Sequence, residues 1–132
     1  MKRYEEKIAV RGYELDSLGH VNHAQYLLYA ESVRWNHFIK MGFTHHKMFK
    51  EMGIGPVILN LNIKYYKELN FGDEITITNE VTKVEGKKAT LHQDFLVNGE
   101  KAAELDLLFV FIDLAKRKSI DIPAEMIQAM QA

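Results

Sequence analysis

One stretch of this sequence is long and regular enough to be a sizeable helix, and nearly everything after it alternates like sheet. From His23 to Met41 there is no glycine or proline, and Ala24, Leu27, Leu28, Trp35, Phe38 and Ile39 fall at helical spacings on one face. Asn22 stands ahead of this stretch as an N-cap and Gly42 behind it as a stop. After Gly55-Pro56 the period changes to two, with Val57, Leu59, Leu61, Ile63 and Tyr65 alternating with mostly polar partners. Gly72-Asp73 turns the chain into a β-rich segment over 74–84, and Gly86 marks the next turn before 88–97. Asn98-Gly99 is the strongest hairpin signal present, leading into 100–114, whose centre is apolar on both faces. An earlier strand over about 3–11 and short helices around 45–51 and 124–131, the latter opened by Pro123, complete the order.

A lone helix with one apolar face can be buried against such a sheet only if the sheet curls around it. The expected fold is therefore α+β, one long helix wrapped by a curved antiparallel sheet of about five strands. The opposite face of that sheet would then need cover, and a second copy of the chain is the obvious cover. With 132 residues and no internal repeat or flexible linker, the chain reads as a single domain over 1–132.

Composition excludes several kinds of chemistry. Cysteine is absent, which removes disulfides, thiolate nucleophiles and zinc–thiolate sites. Seventeen Lys+Arg against 18 Asp+Glu supply no basic field for a phosphate backbone, so nucleic acid is not an expected partner. No apolar stretch follows Met1-Lys2-Arg3, and the apolar run 105–112 contains Asp106 and is too short to span a bilayer. The expectation is a cytoplasmic protein without membrane insertion.

The chemistry-bearing residues crowd at the junction between the first strand and the helix. Asp16, His20, Asn22 and His23 fall within residues 16–23. The first turn of a helix offers unpaired N–H groups and the positive end of the dipole, a ready site for an oxyanion. A carboxylate a few residues upstream could face a carbonyl held there, giving a base or nucleophile and an oxyanion hole in one short segment. The alternative is that Asp16 merely orders the loop. Asp16, His20 and His23 could also ligate zinc, but no further acidic or histidine motif lies nearby, and no metal is expected.

The segment Asp16-Ser17-Leu18-Gly19-His20-Val21-Asn22-His23-Ala24-Gln25-Tyr26, followed by Tyr29 and Glu31, resembles the active-site signature of 4-hydroxybenzoyl-CoA thioesterase-like hot-dog proteins. It is similar in particular to the bacterial acyl-CoA thioesterases of that family, including the Tol-Pal-associated type, and to the His-Val-Asn-Asn segment of plant acyl-carrier-protein thioesterases. The later strand over 56–68, Gly72-Asp73 and Ile122-Pro123 fall where such proteins have them, so the resemblance spans the chain.

It implies a hot-dog fold and hydrolysis of an acyl-CoA, or an acyl-carrier-protein, thioester, while the uncovered sheet face leads us to expect a homodimer or homotetramer with pockets between subunits. By the resemblance Asp16 takes the catalytic aspartate's place. His23 takes that of a catalytic residue whose backbone N–H meets the thioester oxygen, and His20 matches the plant-type histidine. The family often has another acid or a tyrosine just before the aspartate, whereas Tyr13, Glu14 and Leu15 precede it here, which leaves the accessory residue open. No cofactor is implied, because a thiol of pKa about 8.5 departs as thiolate with little acid help.

Other residues carry weaker signals. Asn22 and Tyr26 belong to the binding segment, Tyr26 as core or pocket wall. Glu31 sits on the apolar stripe between Leu28 and Trp35, where it needs a partner such as Arg34 or a place in the active site. Lys87 and Lys88, beside Gly86, could meet coenzyme A phosphates or simply face solvent.

Three rival functions remain. A hot-dog hydratase would carry a histidine five residues after its aspartate, where Val21 stands, and the acyl-carrier dehydratase signature Gly-His-Phe-Pro is broken after Gly19-His20. A noncatalytic acyl-binding module would keep only the fold. A serine hydrolase lacks its Gly-x-Ser-x-Gly elbow around Ser17, Ser32 and Ser119.

Overall fold

The computed structural model describes residues 3–131; Met1, Lys2 and Ala132, the ends of the expected domain, lie outside the described residues. Strand β1 (Arg3–Ala9) and a 3₁₀ turn over Gly12–Glu14 precede helix α1 (His23–Lys40). A π-helical turn over Lys47–Met52, ended by Gly53 in the left-handed region (φ 67°), stands where the second short helix was expected. Strands β2 (Ile54–Tyr65), β3 (Glu74–Glu85), β4 (Lys88–Val97) and β5 (Glu100–Asp113) follow. A short β6 (Lys118–Ile120) and helix α2 (Ala124–Gln131) close the chain. All pairings are antiparallel in the order β1-β3-β4-β5-β2, with β6 on the end of β5. The Asn98-Gly99 turn has both residues at positive φ, 52° and 77°, as a two-residue hairpin turn requires.

One face of this sheet is apolar and receives α1. Ile77, Phe95, Leu105 and Phe111 are fully buried on it. The helix meets them with Tyr26, Tyr29, Ala30, Val33 and His37, spaced three to four residues apart. Tyr26 tilts against Phe95 with ring centroids at 5.5 Å, and Phe38 meets Phe111 edge-on at 6.2 Å. Buried Gln93 pins the middle of the helix, donating to the Ala30 carbonyl at 3.1 Å and accepting from Arg34 at 3.0 Å. Ala24, Leu27, Leu28 and Ile39, expected on the buried face, are exposed instead. The tyrosines carry the burial, which turns the aliphatic stripe and Glu31 outward.

The β2 alternation also differs from expectation. A bulge between Ile58 and Asn60 shifts the register by one residue, so the inward phase changes partway along the strand. Ile58 faces Phe109, and after the bulge Leu61 faces Leu107 and Ile63 faces Leu105. Gly55 and Pro56 lie inside the strand, which an edge position tolerates. Val57, Ile58 and Leu59 are 36%, 46% and 53% exposed along this edge.

The outer face of the sheet is mixed, with Val57 paired to Val110 at one end and a polar row beyond it. Glu80, His92, Asp106 and Asn62 form a polar row across four strands. Around His92, Asp106 accepts from Nδ1 and Asp94 from Nε2, both at 2.7 Å. Lys101 bridges Asp94 at 3.2 Å and Glu104 at 2.8 Å, and the Tyr66 hydroxyl donates to Glu104 at 2.7 Å.

Burial acts to lower the His92 pKa, but the hydrogen bonds to Asp106 and Asp94 outweigh it and hold it above the ordinary value. A raised folded-state pKa favours the protonated form in the native protein. The contribution is therefore full below about pH 6.5 and lost as pH rises through the folded value. We expect the stability advantage of the native chain over His92→Gln, read from urea midpoints between pH 5.5 and 8.5, to shrink as pH rises. A difference constant across that range would contradict the assignment.

Candidate active site

The segment between β1 and α1 is closed by a ladder of short contacts. After the 3₁₀ turn, Leu15 and Val21 form an isolated antiparallel bridge, and the Asn22 N–H donates to the Glu14 carbonyl at 2.9 Å. Inside this closure the Asp16 N–H donates to the His20 carbonyl at 2.7 Å. Asp16 Oδ1 accepts from the Leu18 N–H at 2.9 Å and the His20 N–H at 3.2 Å. Its Oδ2 accepts no hydrogen bond from the described residues. One carboxylate oxygen thus holds the loop while the other is available to a substrate or water.

Asn22 caps α1, its Oδ1 accepting from the Ala24 N–H at 2.9 Å, and the Gln25 N–H goes to the Asn22 carbonyl at 2.9 Å. The His23 N–H, first in the helix, takes no acceptor among the described residues. It lies at the positive end of the helix dipole.

Asp16, His20, His23 and Tyr26 line one cleft of about 330 Å³. The end of β2 and the turn after it supply the remaining wall with Tyr65, Tyr66, Lys67 and Glu68. The Tyr65 hydroxyl donates to the His23 carbonyl at 3.2 Å, and its ring meets Tyr26 edge-on at 4.9 Å. Burial raises the pKa of the Tyr26 hydroxyl, so this group stays protonated at neutral pH. His20 Nε2 stands 3.5 Å from a Glu68 carboxylate oxygen, and an isolated antiparallel bridge joins His20 to Asn70 in the turn after β2.

The remaining sequence candidates lie elsewhere. Asn22 is spent on the cap. Glu31 is exposed and lines a separate apolar hollow with Arg34, Trp35 and Phe38, closed across the gap by Ile58, Leu107 and Phe109. Lys88 lines a hollow with Lys83, Glu85 and Thr90, and neither Lys87 nor Lys88 borders the Asp16 cleft. Tyr65, Tyr66, Lys67 and Glu68 escaped the sequence reading. Their signal was an aromatic pair followed by paired charges at a strand end, but only sheet pairing brings that end to the start of α1.

A cation-capable group of His92, Asp94 and Glu104 occurs on the outer face, with Lys101 already bonded to both carboxylates. Among the described residues, no helix is long and apolar enough to cross a membrane.

The family model for the thioesterase-like superfamily matches residues 10–130. The chain is 32% identical to the long-chain acyl-CoA thioesterase FadM of Escherichia coli, over 96% of each chain. It is 26% identical to the acyl-CoA thioesterase YbgC of Haemophilus influenzae, over 86% of this chain and 83% of that one. The solved structure of the Escherichia coli protein YbaW superposes with a TM-score of 0.85 at 30% identity, covering 96% of each chain.

The cap generates a stability prediction separable from chemistry. Asn22→Ala should cost about 1 kcal/mol in urea unfolding and Asn22→Gly only a few tenths. Equal stability of Asn22→Ala and the native chain would contradict the cap.

Proposed function

This chain belongs to the thioesterase-like superfamily, and from that premise we propose that it hydrolyses an acyl-CoA thioester to the free acid and coenzyme A. The observation that carries the reading is the pairing, in one cleft, of the free Asp16 oxygen with the unpaired N–H at the start of α1. The thioester carbonyl accepts from the His23 amide, which polarises it and holds the oxyanion of the tetrahedral intermediate. Asp16 serves as general base, taking a proton from the water that attacks the carbonyl carbon. Collapse of the intermediate breaks the carbon–sulfur bond, and the thiolate leaves without needing a strong acid. His20, beside Glu68, borders the same carbonyl site, and the Tyr26 and Tyr65 rings form part of its wall. The hollow lined by Trp35, Phe38, Ile58, Leu107 and Phe109 suits an aliphatic acyl chain. A long-chain substrate is named for the Escherichia coli relative, and the same preference fits here.

The working form is a homodimer joined through β2. This edge leaves ladder groups unpaired and exposes Val57, Ile58 and Leu59, while Leu27 and Leu28 are exposed on α1. A second β2 placed antiparallel would continue the sheet and create a self-complementary two-fold contact. The cleft lies at the end of this strand, so a partner would close its open side.

Two outcomes test the proposal. Asp16→Asn retains an Oδ1 acceptor for the Leu18 and His20 amides, so the loop and the melting temperature should persist while kcat falls roughly 10²–10⁴-fold. A folded Asp16→Asn variant with wild-type kcat would remove the mechanism. Light scattering at micromolar concentration should give at least twice the 15.3 kDa chain mass, and a monomer would refute the assembly.

A further inference from the structure

Two residues ahead of Asp16, Glu14 is only 2% exposed, which is unusual for a carboxylate. Four donors surround it. Oε1 accepts from the Arg11 backbone N–H at 2.8 Å and from the Tyr29 hydroxyl at 2.6 Å. Oε2 accepts from Arg11 Nε at 3.2 Å and Nη2 at 2.8 Å. Burial acts to raise the Glu14 pKa, but the bonds from Arg11 and Tyr29 outweigh it and keep the group ionised below the usual carboxylate range.

The three partners belong to different parts of the site. Arg11 ends the approach from β1. Tyr29 lies two turns into α1 on its buried seam. The Glu14 main chain receives the Asn22 N–H at 2.9 Å, at the other end of the loop that carries Asp16. Glu14 therefore ties both feet of that loop to the body of the helix whose first amide faces the cleft. Arg11 is half exposed while Glu14 is buried, and an ion pair with one partner in water adds little stability. What the network does fix is the position of the loop relative to the helix.

We propose that Glu14, gripped by Tyr29 and Arg11, is a positioning residue that sets the Asp16 carboxylate against the N-terminus of α1. The inference rests on the assignment of Asp16 as the base. A displacement near 1 Å between base and oxyanion donor can cost about 10²-fold in rate, whereas substrate binding spread over the cleft is little affected. The signature is thus a loss in kcat with KM held.

Tyr29→Phe deletes a single hydroxyl and keeps the ring in the core, and Glu14→Gln keeps the shape while removing the charge. For Tyr29→Phe we expect kcat for acyl-CoA hydrolysis to fall between about 10-fold and 10²-fold with KM within about threefold. Combining it with Glu14→Gln should lower kcat no further than Glu14→Gln alone, since both act through one contact. In an Asp16→Asn background, Tyr29→Phe should leave the residual kcat unchanged, because no base remains to be positioned. A general packing loss would instead reduce that residual rate by the same factor, and would overturn the proposal. Tyr29→Phe with wild-type kcat, where Asp16→Asn lowers kcat as expected, would overturn this inference alone. Wild-type kcat in Asp16→Asn would overturn it together with the mechanism. Should Glu14→Gln not fold, the two Tyr29→Phe measurements still decide.

Discussion

The apolar inner face of the sheet and the tyrosine seam of α1 are buried against each other, and the position of every catalytic candidate follows from that contact. Ile77, Phe95, Leu105 and Phe111 are fully buried on one side, and Tyr26, Ala30 and Val33 on the other. Side chains of this size contribute about 1.5–3 kcal/mol each when removed from water. The bonds of Gln93 to Ala30 and Arg34 add direction, because an unpartnered amide at that depth would cost more than the bond returns. With rotation and translation of α1 set, its N-terminus has one possible place, above the end of β2. The Asp16 loop has only to close the gap from β1, and Glu14 and Leu15 on one foot and Val21 and Asn22 on the other do so.

Much of this was legible in the residues themselves. The helix boundaries, the Asn22 cap, the Asn98-Gly99 hairpin and the concentration of chemistry at 16–23 depend on local signals, which act over a few residues. What misled was non-local. The alternation 57–65 looks unbroken, yet the bulge at Leu59 reverses its phase because the partner strand β5 sets the register. The exposed stripe of Leu27, Leu28 and Ile39 looks like a core face, whereas tyrosines, less apolar by composition, fill the inner space. Glu31, on the same stripe, is likewise exposed, and it lines the hollow of Trp35 and Phe38. Lys87 and Lys88 stood out as a charged hairpin tip, but no sequence separation indicates that a hairpin tip and a helix start line different hollows. Tyr65 to Glu68 reach the cleft only through the β2–β5 pairing, so no pattern local to them could place them there.

The distribution of polarity separates two questions that the sequence had merged. A sheet covered on one face by a helix needs a second apolar partner only if its other face is apolar. Here the other face carries Glu80, His92, Asp94, Glu104 and Asp106, knitted by Lys101 and Tyr66. Exposed apolar side chains occur along the β2 edge and the outward side of α1, and on the loops at Leu18 and Phe71. The proposed self-association rests on the β2 edge. Tyr66 also links the two regions, since it borders the cleft and bonds to Glu104 of the outer network.

In the proposed chemistry the cleft separates tasks that a single side chain could not combine. Asp16 devotes one oxygen to its own loop and keeps the other for proton transfer. Carbonyl polarisation falls to the backbone, which is positioned by the cap and has no rotamer to lose. The central claim is that these groups hydrolyse a thioester, and thiol release tests it most directly. Purified protein should liberate one free thiol per acyl-CoA consumed, followed with a thiol reagent over a panel of acyl chains, and should leave the enoyl absorbance of crotonyl-CoA unhydrated. Loss of that absorbance without thiol release, or no thiol released from any acyl-CoA in the panel, would contradict the account.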